Sequence, residues 1–104
     1  MSIQKASKDI EHHVNLEQLS LQIKQLIISE CDKEDDFSAE DISDEENLFG
    51  QNSKLALDSL DALQLSLALK KQFLINIEGS KETRKHMKSV QTISQLIIKK
   101  NNLN

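Results

Sequence analysis

Leucine, isoleucine and valine recur at three- and four-residue steps in three separate stretches of this chain, and that periodicity restricts the fold more than any other feature. From Leu16 to Cys31, residues Leu16, Leu19, Ile23, Leu26 and Ile27 form one apolar stripe on a helix with Asn15 as its N-cap. A second helix is predicted from Ser59 to Phe73, and it carries two stripes: Leu65, Ala68, Leu69 and Phe73 on one, Leu60, Leu63 and Leu67 on the other. A last helix, Ser89 to Lys100, presents Val90, Ile93, Leu96 and Ile97, with its lysines at the C-terminal end where they suit the helix dipole. Gly79 breaks the chain after Ile75 and Ile77, and Ser80 to Met87 reads as a short helix with Ser80 as N-cap and Glu82 in its first turn. With no Trp or Tyr and only three Phe, the core has to be built from aliphatic side chains on helical faces. The expected fold is all-α, a small four-helix bundle of three main helices and one short one.

The 104 residues suit one domain, here 16–100, with a frayed leader at 1–15 and a short tail at 101–104. The first connection is long: Asp32 to Asn47 is acidic and rich in Ser and Asp, Leu48-Phe49-Gly50 follows, and Gln51 to Lys54 is polar again. A connection of that length needs pinning, and Ile42, Leu48, Phe49 and Leu55 are the candidate anchors. Charged residues make up 29% of the chain and the net charge is −4, which disfavours nucleic acid and anionic lipid surfaces and suits partners with basic patches. No secretory signal and no apolar run of about 18 residues is present, so a monomer in the cytoplasm without membrane insertion is expected. Cys31 has no partner for an internal disulfide and reads as a half-buried helix-end residue. His12 and His13 would point apart on a helix and have no companions at a metal-site spacing, so no metal is expected.

Local chemistry concentrates in Leu55-Ala56-Leu57-Asp58-Ser59-Leu60-Asp61, where the polar loop runs into the second helix. With Asp58 as N-cap and Asp61 at the third helical position, two carboxylates already serve the positive end of the helix. Ser59 is then left at the first helical position with a hydroxyl the helix does not need, at a place that favours a phosphate. Neither an acid-base pair nor a nucleophile with its base can be found in the sequence, and Ser59 has no histidine placed to activate it, so the chain is expected to have no enzymatic activity of its own.

The region from Asp41 to Ile77 resembles the central part of an acyl carrier protein: Leu48-Phe49 in the loop, Asp58-Ser59-Leu60-Asp61 at the helix start, Leu65, Ala68, Leu69 and Phe73 at helical steps, and Ile75-Asn76-Ile77 beyond. Lys88-Ser89-Val90-Gln91-Thr92-Ile93 is similar to the segment that opens that family's last helix, so the likeness spans Leu16 to Lys100. The resemblance implies that a phosphopantetheinyl transferase moves 4'-phosphopantetheine from coenzyme A onto Ser59, beside Asp58. The arm would hold acyl groups as thioesters for acyl ligase, synthase and ketosynthase-type enzymes of fatty-acid, polyketide or related biosynthesis. It also implies that Leu60, Asp61, Leu63, Gln64 and Leu67 form the partner-docking face, and that acyl chains shelter between the second and third helices.

Three departures from the family pattern stand out. Ala56 occupies a position where glycine is usual, so the loop is expected to manage without a positive φ there. Gln64 replaces a common acidic residue and Lys70-Lys71 replace an acidic pair, which weakens the negative patch that fatty-acid synthase enzymes read and points to a dedicated pathway. Two other readings use the same residues: a cofactor-free helical adaptor that binds through Leu60, Leu63 and Leu67, and a degenerate carrier that keeps the fold without the modification.

Overall fold

The computed structural model describes residues 15–102. They form four helices, α1 (Leu16–Glu30), α2 (Ser59–Phe73), α3 (Gly79–His86) and α4 (Val90–Asn102), with a 3₁₀ helix at Ala39–Asp41 in the first connection. No strand occurs among the described residues, and the one extended pairing is an isolated parallel bridge between Phe49 and Leu57. The expected all-α bundle of three main helices and one short one is therefore what the chain adopts. His12 and His13 lie outside the described residues, as does most of the stretch read as a leader.

α1 is the central element, packing against both α4 and α2. Its N-terminus is capped by Asn15, whose Oδ1 accepts from the Gln18 N–H at 3.2 Å. Leu19, Ile23 and Ile27 are buried as the periodicity requires, and Ile28 joins them. Leu16 departs from the expected stripe: at the first helical position, a turn ahead of the packed face, it remains exposed. In α4, Val90, Ile93 and Ile97 are buried and Leu96 packs against them. Its entry is closed reciprocally, with Thr92 N–H donating to Ser89 Oγ at 3.2 Å and Ser89 N–H donating to Thr92 Oγ1 at 3.1 Å. α4 continues two residues past Lys100, through Asn102.

Two local expectations are corrected. Ser80 is not the N-cap of α3, because Gly79 at φ +84 makes the turn and the helix starts there, directly after the extended Glu78. The first connection is also less bare than its composition suggests. Its 3₁₀ helix is closed by Ser38 N–H donating to Asp41 Oδ2 at 2.9 Å and lies against α1, and Lys24 of α1 pairs with Asp44 at 2.9 Å. Ile42, Leu48 and Leu55 are buried and Phe49 is half-buried, as anchors should be. Leu57, not foreseen among them, is buried as well.

Those anchors bring three distant segments together. Leu48 N–H donates to the Lys88 carbonyl at 3.0 Å, Leu57 N–H donates to the Leu48 carbonyl at 3.1 Å, and Gln91 N–H donates to the Asp44 carbonyl at 2.8 Å. The end of α3 is thereby held beside the strip of loop that leads into α2. Among the described residues no buried side-chain nitrogen or oxygen lacks a hydrogen-bond partner.

Candidate functional site

The start of α2 is presented by a short run of backbone devices. Ser53 is buried and its Oγ accepts from the N–H groups of Leu55 and Ala56, both at 3.1 Å. Leu55 and Leu57 both enter the core, and Ala56 between them has φ +49. This overturns the expectation that the loop manages without a positive φ at that position: the left-handed geometry is kept although the residue is alanine. The hydrogen bonds from the Leu55 and Ala56 N–H groups to Ser53 Oγ, with Leu55 and Leu57 both buried, hold the backbone in that form.

Asp58 is extended and caps α2. Its Oδ1 accepts from the Asp61 N–H at 3.0 Å while Asp61 Oδ2 accepts from the Asp58 N–H at 3.0 Å, a reciprocal capping box built from two aspartates. The Asp61 N–H on its carboxylate, joined by the Leu60 N–H, holds the Asp58 carboxyl below the usual carboxylate range. Ser59 is the first residue of α2, is exposed, and enters neither bond of that box. Its hydroxyl is therefore available at the helix tip.

Beneath this turn stands Cys31, the C-cap of α1, which is buried rather than half-buried as expected. Its Sγ lies 3.9 Å from the Asp61 carbonyl oxygen. Burial, reinforced by the nearby Asp61 charge, pushes the thiol up to about 12. Cys31 is thus a neutral prop under the first turn of α2. Thirty residues separate the pair, and no spacing in the chain announces the contact.

A cleft of about 860 Å³ opens beside Ser59, which is one of the residues lining it. Leu63 and Leu67 supply one wall, Phe49 and Leu57 the end near the loop, and Ile77 and Thr83 contribute from the α3 side. Phe49, Ile77 and Thr83 carry no site signal in the sequence, because only the fold brings them to α2. The two stripes of α2 separate as expected: Leu65 and Leu69 are fully buried, with Ala68 and Phe73 half-buried, while Leu60, Leu63 and Leu67 are 63%, 54% and 56% exposed. Gln64 is exposed and Asp61 half-buried on the same helix, but neither they nor Leu60 reach the cleft.

Among the described residues no helix is long and apolar enough to cross a membrane. No protein-family model matches the chain, and no curated protein matches it.

Proposed function

We propose that this chain is an acyl carrier protein, modified on the Ser59 hydroxyl with 4'-phosphopantetheine. The observation that carries the reading is the filled cap: Asp58 and Asp61 satisfy each other across the first turn of α2, and Ser59 is left exposed at the positive tip with a hydroxyl that has no structural task. A phosphodiester at that oxygen would sit where the helix end attenuates its charge. The residues present fit such a group, since the attachment oxygen opens on a cleft whose walls include Leu57, Leu63 and Leu67.

The bound arm supplies a thiol on which acyl groups travel as thioesters. This chain's own part is to present Ser59 to the transferase, to offer the cleft as partial shelter for what the arm carries, and to hold α2 so that Leu60, Asp61, Leu63, Gln64 and Leu67 meet partner enzymes. Ala56 does not argue for a degenerate carrier, because the left-handed turn that presents the helix start is formed despite the missing glycine. The two lysines that end α2 favour a dedicated biosynthetic pathway over the housekeeping fatty-acid role.

Intact mass provides the test. Incubation with coenzyme A and a broad-specificity phosphopantetheinyl transferase should add one phosphopantetheine, and Ser59→Ala should abolish the addition. A wild-type chain that stays unmodified while Leu63 and Leu67 still bind a partner would make it a cofactor-free adaptor instead.

A further inference from the structure

The net charge of −4 conceals a separation. Residues 32–46 hold nine carboxylates and one lysine, and this segment is tied to α1 through its 3₁₀ helix and the Lys24–Asp44 pair. None of its residues lines the cleft beside Ser59. Between Lys70 and Lys88 the balance is reversed, with six cations against two carboxylates. All six, Lys70, Lys71, Lys81, Arg84, Lys85 and Lys88, are exposed. The two carboxylates make local contacts, Glu82 with His86 at 3.2 Å and Glu78 accepting from Asn76 Nδ2 at 3.1 Å, and they leave four cations in excess over this stretch. The ion pairs formed among the described residues involve none of the six.

Four of these cations stand near the exposed leucines. On α2, Lys70 and Lys71 follow Leu67 by three and four residues, so they prolong the stripe that Leu60, Leu63 and Leu67 begin. Leu74, the left-handed C-cap, ends that row and is itself exposed. Across the cleft, Arg84 and Lys88 line the side opposite Leu63 and Leu67, held there by the bond between the Leu48 N–H and the Lys88 carbonyl. The surface is thus apolar at its centre and basic along the part of its rim away from the Asp58–Asp61 cap, which is the reverse of what the net charge of the chain would suggest.

We infer that this surface docks a partner enzyme whose contact face is apolar at its centre and acidic at its rim. The inference rests on the carrier reading and names its partner class. Rim charges of this kind act chiefly on encounter rate and on rejection of wrong partners, because a basic-faced enzyme would meet like charge at Lys70, Lys71, Arg84 and Lys88. A carrier so rimmed is separated electrostatically from enzymes that expect an acidic helix.

Two synthetic amphipathic helical peptides with the same leucine face, one rimmed with glutamates and one with lysines, make the test. Amide shifts are followed in the unmodified protein. The glutamate peptide should shift residues 60–74 and 81–88, and its affinity should fall several-fold from roughly 0.1 M to roughly 1 M salt, over which the screening length drops from about 10 Å to about 3 Å. Lys70→Glu/Lys71→Glu should reverse the preference between the peptides, and so should Arg84→Glu/Lys88→Glu, which leaves α2 untouched. Equal or stronger response to the lysine peptide at those amides, no response there to either, or a stronger response to phosphatidylglycerol vesicles would each overturn the inference. Failure of the carrier reading shows separately, as an unmodified Ser59 in the mass experiment, whatever the peptides do.

Discussion

Ala56→Gly should stabilise this protein, against the usual effect of placing glycine in a chain. Ala56 sits at φ +49, where an L-residue brings its Cβ against its own backbone at roughly 1–2 kcal/mol. Glycine removes that cost but enlarges the freedom of the unfolded chain, which is unfavourable by about 0.4–1 kcal/mol. The methyl group is exposed, so little packing is lost, and the backbone N–H still donates to Ser53 Oγ. The net gain is then about 0.5–1 kcal/mol, or about 2–8 °C in melting temperature for a domain of this size. Thermal unfolding of the two proteins measures it, with Gly50→Ala as the opposite control: Gly50 has φ +93 and open space around its absent Cβ, so any loss there comes from backbone strain and not from a clash. A lower melting temperature for Ala56→Gly, with unchanged amide positions elsewhere, would show that the left-handed turn at residue 56 is not under strain. Phosphopantetheine addition to Ser59 should proceed equally in both, since the turn already has its glycine-like form.

Other perturbations separate the parts of the site. Leu65→Ala should cost about 2–5 kcal/mol because its side chain is fully buried, whereas Leu63→Ala, on the exposed stripe of the same helix, should stay within about 0.5 kcal/mol by chemical denaturation and act on partner binding instead. Because the folded Asp58 carboxyl titrates below its unfolded range, its stabilisation is present above about pH 4 and is lost as pH falls through the lower folded value. Asp58→Asn keeps a capping side chain without that titration, so its melting temperature should fall less than that of wild type on acidification; parallel acid limbs would refute the assignment. With its thiol raised to about 12, Cys31 has a thiolate fraction of about 10⁻⁴ at pH 8 against about a quarter for an unperturbed thiol near 8.5. Labelling of the native protein by a disulfide reagent should therefore be at least about a thousandfold slower than in denaturant, and comparable rates would contradict its burial.

How much of this could be read in the chain follows from the range of each interaction. Helix placement depends on spacing within a few residues, so the stripe of Leu65 and Leu69 can be told from that of Leu60, Leu63 and Leu67 in the sequence alone, but which of the two is buried is settled by packing against α1. The Asp58–Asp61 box is equally local, its two residues standing three apart in the chain. Ala56 marks the limit of such reasoning. Its identity argues for a negative φ, and the opposite is found where Leu55 and Leu57 on either side are buried and the Leu57 N–H is bound to the Leu48 carbonyl, itself joined to residue 88 far along the chain. The cleft has the same origin, since Phe49, Ile77 and Thr83 share nothing in sequence with Leu63 and are brought to it by the bonds that join Leu48 to Lys88 and to Leu57.

Charge shows most sharply why a whole-chain quantity fails where a local one succeeds. A net charge of −4 averages an acidic loop with a basic α3 and says that partners should be basic. Screening confines each charge to about 8–10 Å at ordinary salt, so a docking enzyme responds to the residues around its own footprint. Around Leu63 and Leu67 those residues are Lys70, Arg84 and Lys88, while the lining carboxylates are Asp58, engaged in the helix cap, and Glu78, engaged with Asn76. The carboxylates that set the sign of the chain lie along 32–46, outside the cleft, whose own lining holds three cations against two carboxylates.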